Sequence, residues 1–413
     1  MSYVMKFLTF LPFLFVSFIS AQPYTSYFTG STADVNTVTQ KGICIMGGAT
    51  EDDNAMRWFL NRINGGDVVV IRATGSNGYN SYLYNMSGVV QPNSVETIVI
   101  PSAAAANDPY VSTQLTNAEG IWIAGGDQYD YVEFWRNSPV ETAINHVINV
   151  KNGPVGGTSA GMAVQGNAYF SAQNGTVTSN QALNNPYNNQ VQIGYNDFIA
   201  NDYMENVITD THYDNPDRKG RHTAFLARLI TDQGFPFTGI ACEEYTAVCI
   251  DENGLAKVYG EYPNEQDYAY FIQVNCTEPN EPETCTAGQP LNWNRNNAAL
   301  KVYKVPGTAT GANTFSLQDW MTGSGGVWQH WFVNNGTFQA VSGTPPTNSG
   351  SLTISGPDST CVNGTYTYSV VNPPAGTFTW TVSAQGTIVS GQGTATIQVI
   401  WNSGSVGTVS VSQ

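Results

Sequence analysis

Positive charge is scarce in this sequence. Only 15 lysines and arginines stand against 31 aspartates and glutamates, a formal net charge of −16 over 413 residues. Nucleic-acid backbones and anionic membrane surfaces are both held by clustered Lys and Arg, so the balance argues against either as a partner. Cysteine is sparse too. There are six, with no Cys-x-x-Cys or His-x₃-His spacing, so nothing points to a zinc site or any other metal or cofactor. Long apolar runs are almost missing. The single one, Phe7–Val16, follows Lys6, contains Pro12 and precedes Ser20-Ala21-Gln22. It is short for a membrane span and has the layout of a secretory signal cleaved near Ala21, so residues 1–21 are expected to be removed and the mature chain to work outside the cytoplasm, extracellular or periplasmic. In that compartment Cys276 and Cys285, which bracket a Pro- and Glu-rich loop, are expected to close a disulfide. Cys44, Cys242 and Cys249 lie in apolar runs and read as buried small hydrophobes, and Cys361 has no evident partner.

What is present is apolar and aromatic material, 41% and 12% of residues, in a chain long enough for two or more domains. Gly42–Met46, Asp67–Arg72, Val95–Ile100 and Gly120–Ala124 are continuous apolar strands without polar alternation. Strands of that kind are covered on both faces, which predicts a parallel sheet in an α/β layer fold. Met56, Phe59, Leu60 and Ile63 recur at helical spacing after the first strand, and Ala143, Ile144, Val147 and Ile148 do so in 140–150. Gly47-Gly48 reads as a structural turn, because Glu51, Asp52 and Asp53 directly after it would repel a phosphate. Gly125-Gly126-Asp127-Gln128 closes a later strand. Loops at the carboxyl ends of parallel strands are where such sheets bind ligands.

The most informative stretch is Gly157-Thr158-Ser159-Ala160-Gly161. A serine between two glycines at a strand-to-helix turn forms a nucleophile elbow, which exposes Ser159 Oγ and aims the N–H groups of Ala160 and Gly161 at any oxyanion formed there. Residues 173–206 are polar and Asn/Gln-rich and read as a long surface excursion with the character of a lid. Val207–Tyr213 reads as a strand in which Asp210 and His212 share a face by period two. Arg218, Lys219, Arg221 and His222 then open an amphipathic helix, where cations are misplaced unless an anion meets them. Glu243 and Glu244 interrupt the apolar run Thr238–Ile250.

Residues 251–340 look β-rich. A Pro/Gly/Ser/Thr linker at 342–350 separates a first domain, 22–341, from a module at 351–413 with short alternating strands and Trp380 and Trp401 as core aromatics. The module is expected to be an immunoglobulin-like β-sandwich, similar to the PKD-like modules of secreted proteins.

In order and rough spacing, Gly47-Gly48-Ala49, Gly125–Gln128, the Ser159 elbow, Asp210–Tyr213 with Arg221, and Glu243–Ala247 resemble the motif set of the cyanophycinase and peptidase E family of serine peptidases over residues 41–305. The resemblance implies an α/β fold like that of class I glutamine amidotransferases, flavodoxin-like, with a parallel sheet flanked by helices. It implies Ser159 as nucleophile and His212 as general base, without metal or cofactor, with an oxyanion held by Gly126 and Ala160. Gln128 would position substrate. Asp127 stands where asparagine is commoner in the family and adds negative charge beside the pocket. For the third triad member the sequence leaves two acids open. Asp210 is the expected orienting acid, and Glu244 is the alternative pocket acid. Arg218 or Arg221 would pair with a substrate carboxylate. The implied substrates are aspartyl peptides, either N-terminal Asp dipeptides or a cyanophycin-like β-Asp-Arg polymer. The alternative function is an inactive binding or surface-adhesion protein on the same fold, with the sandwich holding a surface or matrix ligand. A dimer is compatible with either.

Overall fold

The computed structural model describes residues 22–275, 279–346, 352–357, 359–371, 373, 377–403 and 406–412. The expected signal segment, Cys276 and part of the expected linker lie outside them. Cys285 is a free, buried thiol. The chain divides into two compact units that meet between Pro346 and Thr347.

The first unit opens with β1 (Thr25–Gly30), β2 (Gly42–Met46), α1 (Asp53–Ile63) and β3 (Asp67–Arg72). Next come α2 (Gly78–Tyr84), β4 (Ser94–Val99), α3 (Ala103–Ala106), α4 (Pro109–Asn117) and β5 (Gly120–Ile123). Two further helices, α5 (Gln128–Trp135) and α6 (Pro139–His146), lead to β6 (Pro154–Thr158) and the short α7 (Ala160–Ala163). β4, β3, β5, β6 and β2 lie side by side in that order, all parallel, with β1 antiparallel at one end. This is the parallel α/β sheet that the unbroken apolar strands predicted. Alternate residues of each strand enter different cores. Cys44, Val68, Val70 and Trp122 pack under α1 and α2, while Val69, Ile71, Ile121 and Ile123 pack under α3 to α6.

A second sheet was not foreseen. It is built from β7 (Ala168–Phe170), β8 (Ile193–Tyr195), β9 (Val207–Asp210) and β10 (Thr238–Cys242), with α8 (Ser179–Asn184) and α9 (Lys219–Gln233) interposed. β11 (Ala247–Asp251) and β12 (Leu255–Tyr259) return to the first sheet, where β11 lies antiparallel to β2. β13 (Tyr268–Val274) and β14 (Leu300–Pro306) extend the second sheet. β15 (Asn313–Ser316) and β16 (Gly323–Ser324) extend the first, and β17 (Val327–Asn334) and β18 (Thr337–Ser342) the second. Ile43, Ile45, Met162, Val207, Ile240 and Phe271 fill the core between the two sheets. The chain therefore changes sheet at the turn Glu243–Thr246.

Residues 173–206 are not a free excursion. Val177, Ala182, Leu183 and Val191 are buried against α9 and the second sheet, and Thr178 caps α8 through a reciprocal bond with Gln181. Few apolar positions suffice there because most of them are spent on burial. The basic opening of α9 also has its anion, supplied from inside the protein by Asp210.

In the second unit, β19 (Ile354–Ser355), β20 (Thr365–Val370), β22 (Gly386–Ser390) and β23 (Thr396–Trp401) form one antiparallel sheet. β21 (Thr379–Val382) and β24 (Val409–Ser412) form the other. Trp380 and Trp401 are buried in its core with Tyr368, Ile397 and Val399, as their alternation predicted.

Candidate active site

The elbow follows from how closely helix and strand approach. A Cβ on Gly161 would lie 1.9 Å from the carbonyl oxygen of Ile123, and one on Gly157 would lie 2.7 Å from the same oxygen and from the Gly161 backbone. Only glycine lets α7 leave β6 at that angle. Ser159 between them has φ 50° and ψ −114°, a conformation rare for a residue with a side chain. Its N–H bonds the Met46 carbonyl at 3.0 Å, and its side chain stays partly exposed. Ala160 is the first residue of α7, so its N–H has no carbonyl in the preceding turn to bond. Gly125, whose Cβ would sit 3.6 Å from that of Ser159, brings the Gly125-Gly126 loop alongside the serine.

His212 Nε2 lies 2.7 Å from Ser159 Oγ, and His212 Nδ1 lies 2.6 Å from Glu244 Oε1. A carboxylate can only accept, so Nδ1–H donates to Glu244 and Nε2 is left free to take the serine proton. The bond to His212 holds the Glu244 carboxyl below the usual carboxylate value, ahead of a smaller opposing effect of burial. Asn215 Nδ2 reaches the other Glu244 oxygen at 3.4 Å, and Asp214 accepts the Glu244 N–H at 3.1 Å. The histidine is held from the other side as well. Its own N–H bonds Gly47 O at 2.8 Å, and Gly48 leaves room for the ring, since a Cβ there would stand 2.3 Å from it.

The profile of peptidase family S51 matches residues 43–258, and that of the PKD-like domain matches residues 346–413. This chain belongs to peptidase family S51. Over 193 residues it is 25% identical to the cyanophycinases of Synechococcus elongatus and Thermosynechococcus vestitus, covering 45% of this chain and 54% of each of those. The chain thus spans about half the length of the curated relatives it matches. Among solved structures it is similar to a peptidase from an acI-B1 Actinobacterium, with 13% identity, a TM-score of 0.41, and coverage of 68% of this chain and 98% of that one. It is also similar to a putative peptidase E from Listeria monocytogenes EGD-e, with 14% identity, a TM-score of 0.33, and coverage of 54% and 99%.

In this S51 chain two expectations change. Asp210 does not touch His212. β9 ends at Asp210, and His212 has a left-handed φ of 46°, so strand alternation does not carry across and the two side chains part. Asp210 instead accepts from Arg221 Nε at 2.8 Å and Nη2 at 2.5 Å, with both side chains 4% exposed. Burial pushes its pKa up, but the Arg221 guanidinium outweighs that and holds it below the ordinary value. Arg221 is likewise committed, since its Nη1 donates to Thr176 Oγ1 and Val177 O, so it is no anchor for a substrate. Arg218 remains the available cation. Half-buried, it donates from Nη1 to Thr211 O and lines a hollow of about 270 Å³ with Thr176–Asn180, Pro216, Asp217 and the committed Arg221. Burial, then repulsion from Arg221, lowers its pKa.

Asp127 caps α5 by accepting the Tyr129 N–H at 2.9 Å, and Gln128 donates weakly to Phe170 O at 3.5 Å, so both sit at the start of the helix beside Gly126. Glu243, the other half of the acidic pair, is buried and faces away, accepting from Tyr270 Oη at 2.6 Å and the Tyr268 N–H at 3.1 Å. Reading the sequence alone missed Asp214 and Asn215. The Asp-Asn-Pro cluster directly after His212-Tyr213 is a turn signal that would have placed them beside the histidine.

Proposed function

We propose that this chain is an exported serine-type peptidase that cleaves aspartyl peptide bonds through an acyl-enzyme on Ser159. One observation carries the reading: Ser159, His212 and Glu244 stand in a hydrogen-bonded line of 2.7 and 2.6 Å. His212 Nε2 accepts the Ser159 proton as Oγ attacks the scissile carbonyl, then returns it to the leaving amine. Water repeats the cycle and frees the acid product. Glu244 keeps Nδ1 protonated and steadies the imidazolium, acting through His212 and not on substrate. The N–H groups of Ala160 and Gly126 hold the oxyanion, a contribution on the order of 10²–10³ in rate for each donor. Arg218 takes a carboxylate of the aspartyl substrate, and Gln128, at the start of the helix beside Gly126, positions it.

The substrate class rests on family membership, on the cyanophycinase relatives, and on Arg218, a cation bonded to Thr211 O next to His212 in a chain that has few. N-terminal Asp dipeptides and β-Asp-Arg peptides are the two forms to compare. The PKD-like module serves adhesion or spacing. The deciding experiment measures hydrolysis of α-Asp-Xaa and β-Asp-Arg dipeptides by the full chain beside Ser159→Ala and His212→Ala. Turnover of one class that disappears in both variants supports the proposal. No turnover of either class, together with a Ser159 that resists a covalent serine-hydrolase probe, would leave a binding protein on a peptidase fold.

A further inference from the structure

Cys44 on β2 and Cys249 on β11 are register partners in adjacent antiparallel strands. Their spacing follows from the ladder. Gly47 N–H bonds Thr246 O at 3.0 Å, which makes 47/246 a hydrogen-bonded pair. Such pairs alternate with non-bonded ones, so 45/248 is bonded and 44/249 is not. At non-bonded positions the Cα atoms approach to roughly 4.5 Å and the side chains lie closest, within the range of about 4.4–6.8 Å that a disulfide spans. The two sulfurs are already 3.5 Å apart. Both thiols are fully buried in the same core, under α1. The other described cysteines are elsewhere: Cys242 lies in the core between the sheets, Cys285 beneath α9, and Cys361 is exposed in the second unit.

We infer that Cys44 and Cys249 are a disulfide-forming pair, closed when the chain folds in an oxidising compartment. Closure needs only side-chain rotation over the last ångström or so, because backbone register has already set the pair. The oxidant is a disulfide donor, whether a thiol oxidase or glutathione disulfide. One cysteine thiolate attacks the donor and expels a thiol; the second attacks the mixed disulfide and expels another. Two protons and two electrons thus pass from the cysteines to the donor, which ends as two thiols. The reaction belongs to folding and not to the finished protein. Burial pushes the Cys249 thiol far up and leaves no path for a donor once β11 has docked.

The position gives the bond a use. β2 runs directly into Gly47-Gly48, which hold the His212 ring, and β11 begins directly after Glu244-Tyr245-Thr246. A covalent tie here closes a loop of about two hundred residues and pins together the two strands that support the relay from below. The occupancy of the bond in cells rests on the export reading, so the test has two arms. In the first, the full chain with its own leader is secreted into an oxidising compartment, denatured with iodoacetamide without reductant, digested, and mapped by mass spectrometry. In the second, residues 22–413 are refolded from the reduced state in a glutathione/glutathione disulfide buffer and mapped likewise.

The expected result is a Cys44–Cys249 linked peptide in both arms, with neither residue alkylated until reduced. Reduction should lower the thermal midpoint by roughly 5–10 °C. A Cys44→Val/Cys249→Val variant, which keeps the core filled, should lose that sensitivity to reductant. A linked peptide in the refolded arm alone keeps the pairing and points to failure of the export reading. Full alkylation of both residues in both arms, or linkage of either to a different cysteine, overturns the inference.

Discussion

Glu244→Gln isolates the acid behind the base. The change keeps shape and removes one charge. In the transition state of the proposed mechanism His212 is an imidazolium, and its positive charge faces the Glu244 carboxylate across the 2.6 Å bond. Two unit charges at about 4 Å attract by about 4 kcal/mol at an effective dielectric constant of 20. The Glu244 side chain is 21% exposed, so solvent trims the figure to about 3 kcal/mol. At 1.36 kcal/mol per decade this is roughly a hundredfold in kcat. The amide can also turn its NH₂ toward Nδ1, which moves the imidazole hydrogen to Nε2 and disables the base, so the loss should lie between about 10² and 10⁴. Glu244 acts through His212, so KM should stay within about twofold. Steady-state kinetics on the better aspartyl dipeptide, with a thermal melt of the same samples, gives both numbers. A variant retaining more than about a third of wild-type kcat, or losing only through KM, would refute the relay.

Asp210→Asn should behave in the opposite way. It strands Arg221 in the core, and breaking a buried pair costs on the order of 3–5 kcal/mol, so denaturant midpoints should fall sharply while any folded fraction keeps its specific activity. Gly48→Ala should cost activity beyond its effect on stability, since the added Cβ stands 2.3 Å from the His212 ring; kcat normalised to folded protein measures it, and an unchanged value refutes the contact. His222 carries a pH signature. Burial lowers its pKa to about 4, and its Nε2 donates to Ile208 O while Nδ1 accepts from Tyr213 Oη. As pH falls below about 6.5 the unfolded chain takes up this proton first, so stability is complete above that point and erodes by about 3 kcal/mol towards pH 4. Urea midpoints at pH 7.5 and 4.5 should therefore converge between wild type and His222→Gln as the pH drops, and a pH-independent gap would count against it.

The parallel sheet and the elbow were legible because both are written in local pattern: unbroken apolar strands, and glycines where only glycine fits. His212 was legible by motif, but its orientation was not. Period-two reasoning put it on one face with Asp210 because nothing in the residue names announces a left-handed φ at His212. The same limit put the acid second, as the alternative to Asp210. Glu244 lies 32 residues beyond His212, and meets it only because β10 lies beside β9 in a second sheet. That sheet escaped notice because its strands are scattered from residue 168 to 342 and joined through excursions whose burial is confined to a few positions, such as Leu183 and Val191. Polar composition reads as surface even when most of the few apolar residues in it are buried.

The change of sheet at Glu243–Thr246 has a mechanical consequence. Ser159 rides on β6 of one sheet, while His212 and Glu244 follow β9 and β10 of the other, and the two sheets touch through apolar packing and single bonds such as Thr209 Oγ1 to Met162 O at 2.8 Å. In the proposed mechanism a proton passing from serine to histidine crosses the seam. The relay is therefore a gauge of alignment between the two halves: a slip of one ångström along that seam would abolish the proposed activity while leaving every strand, and every spectroscopic mark of secondary structure, in place.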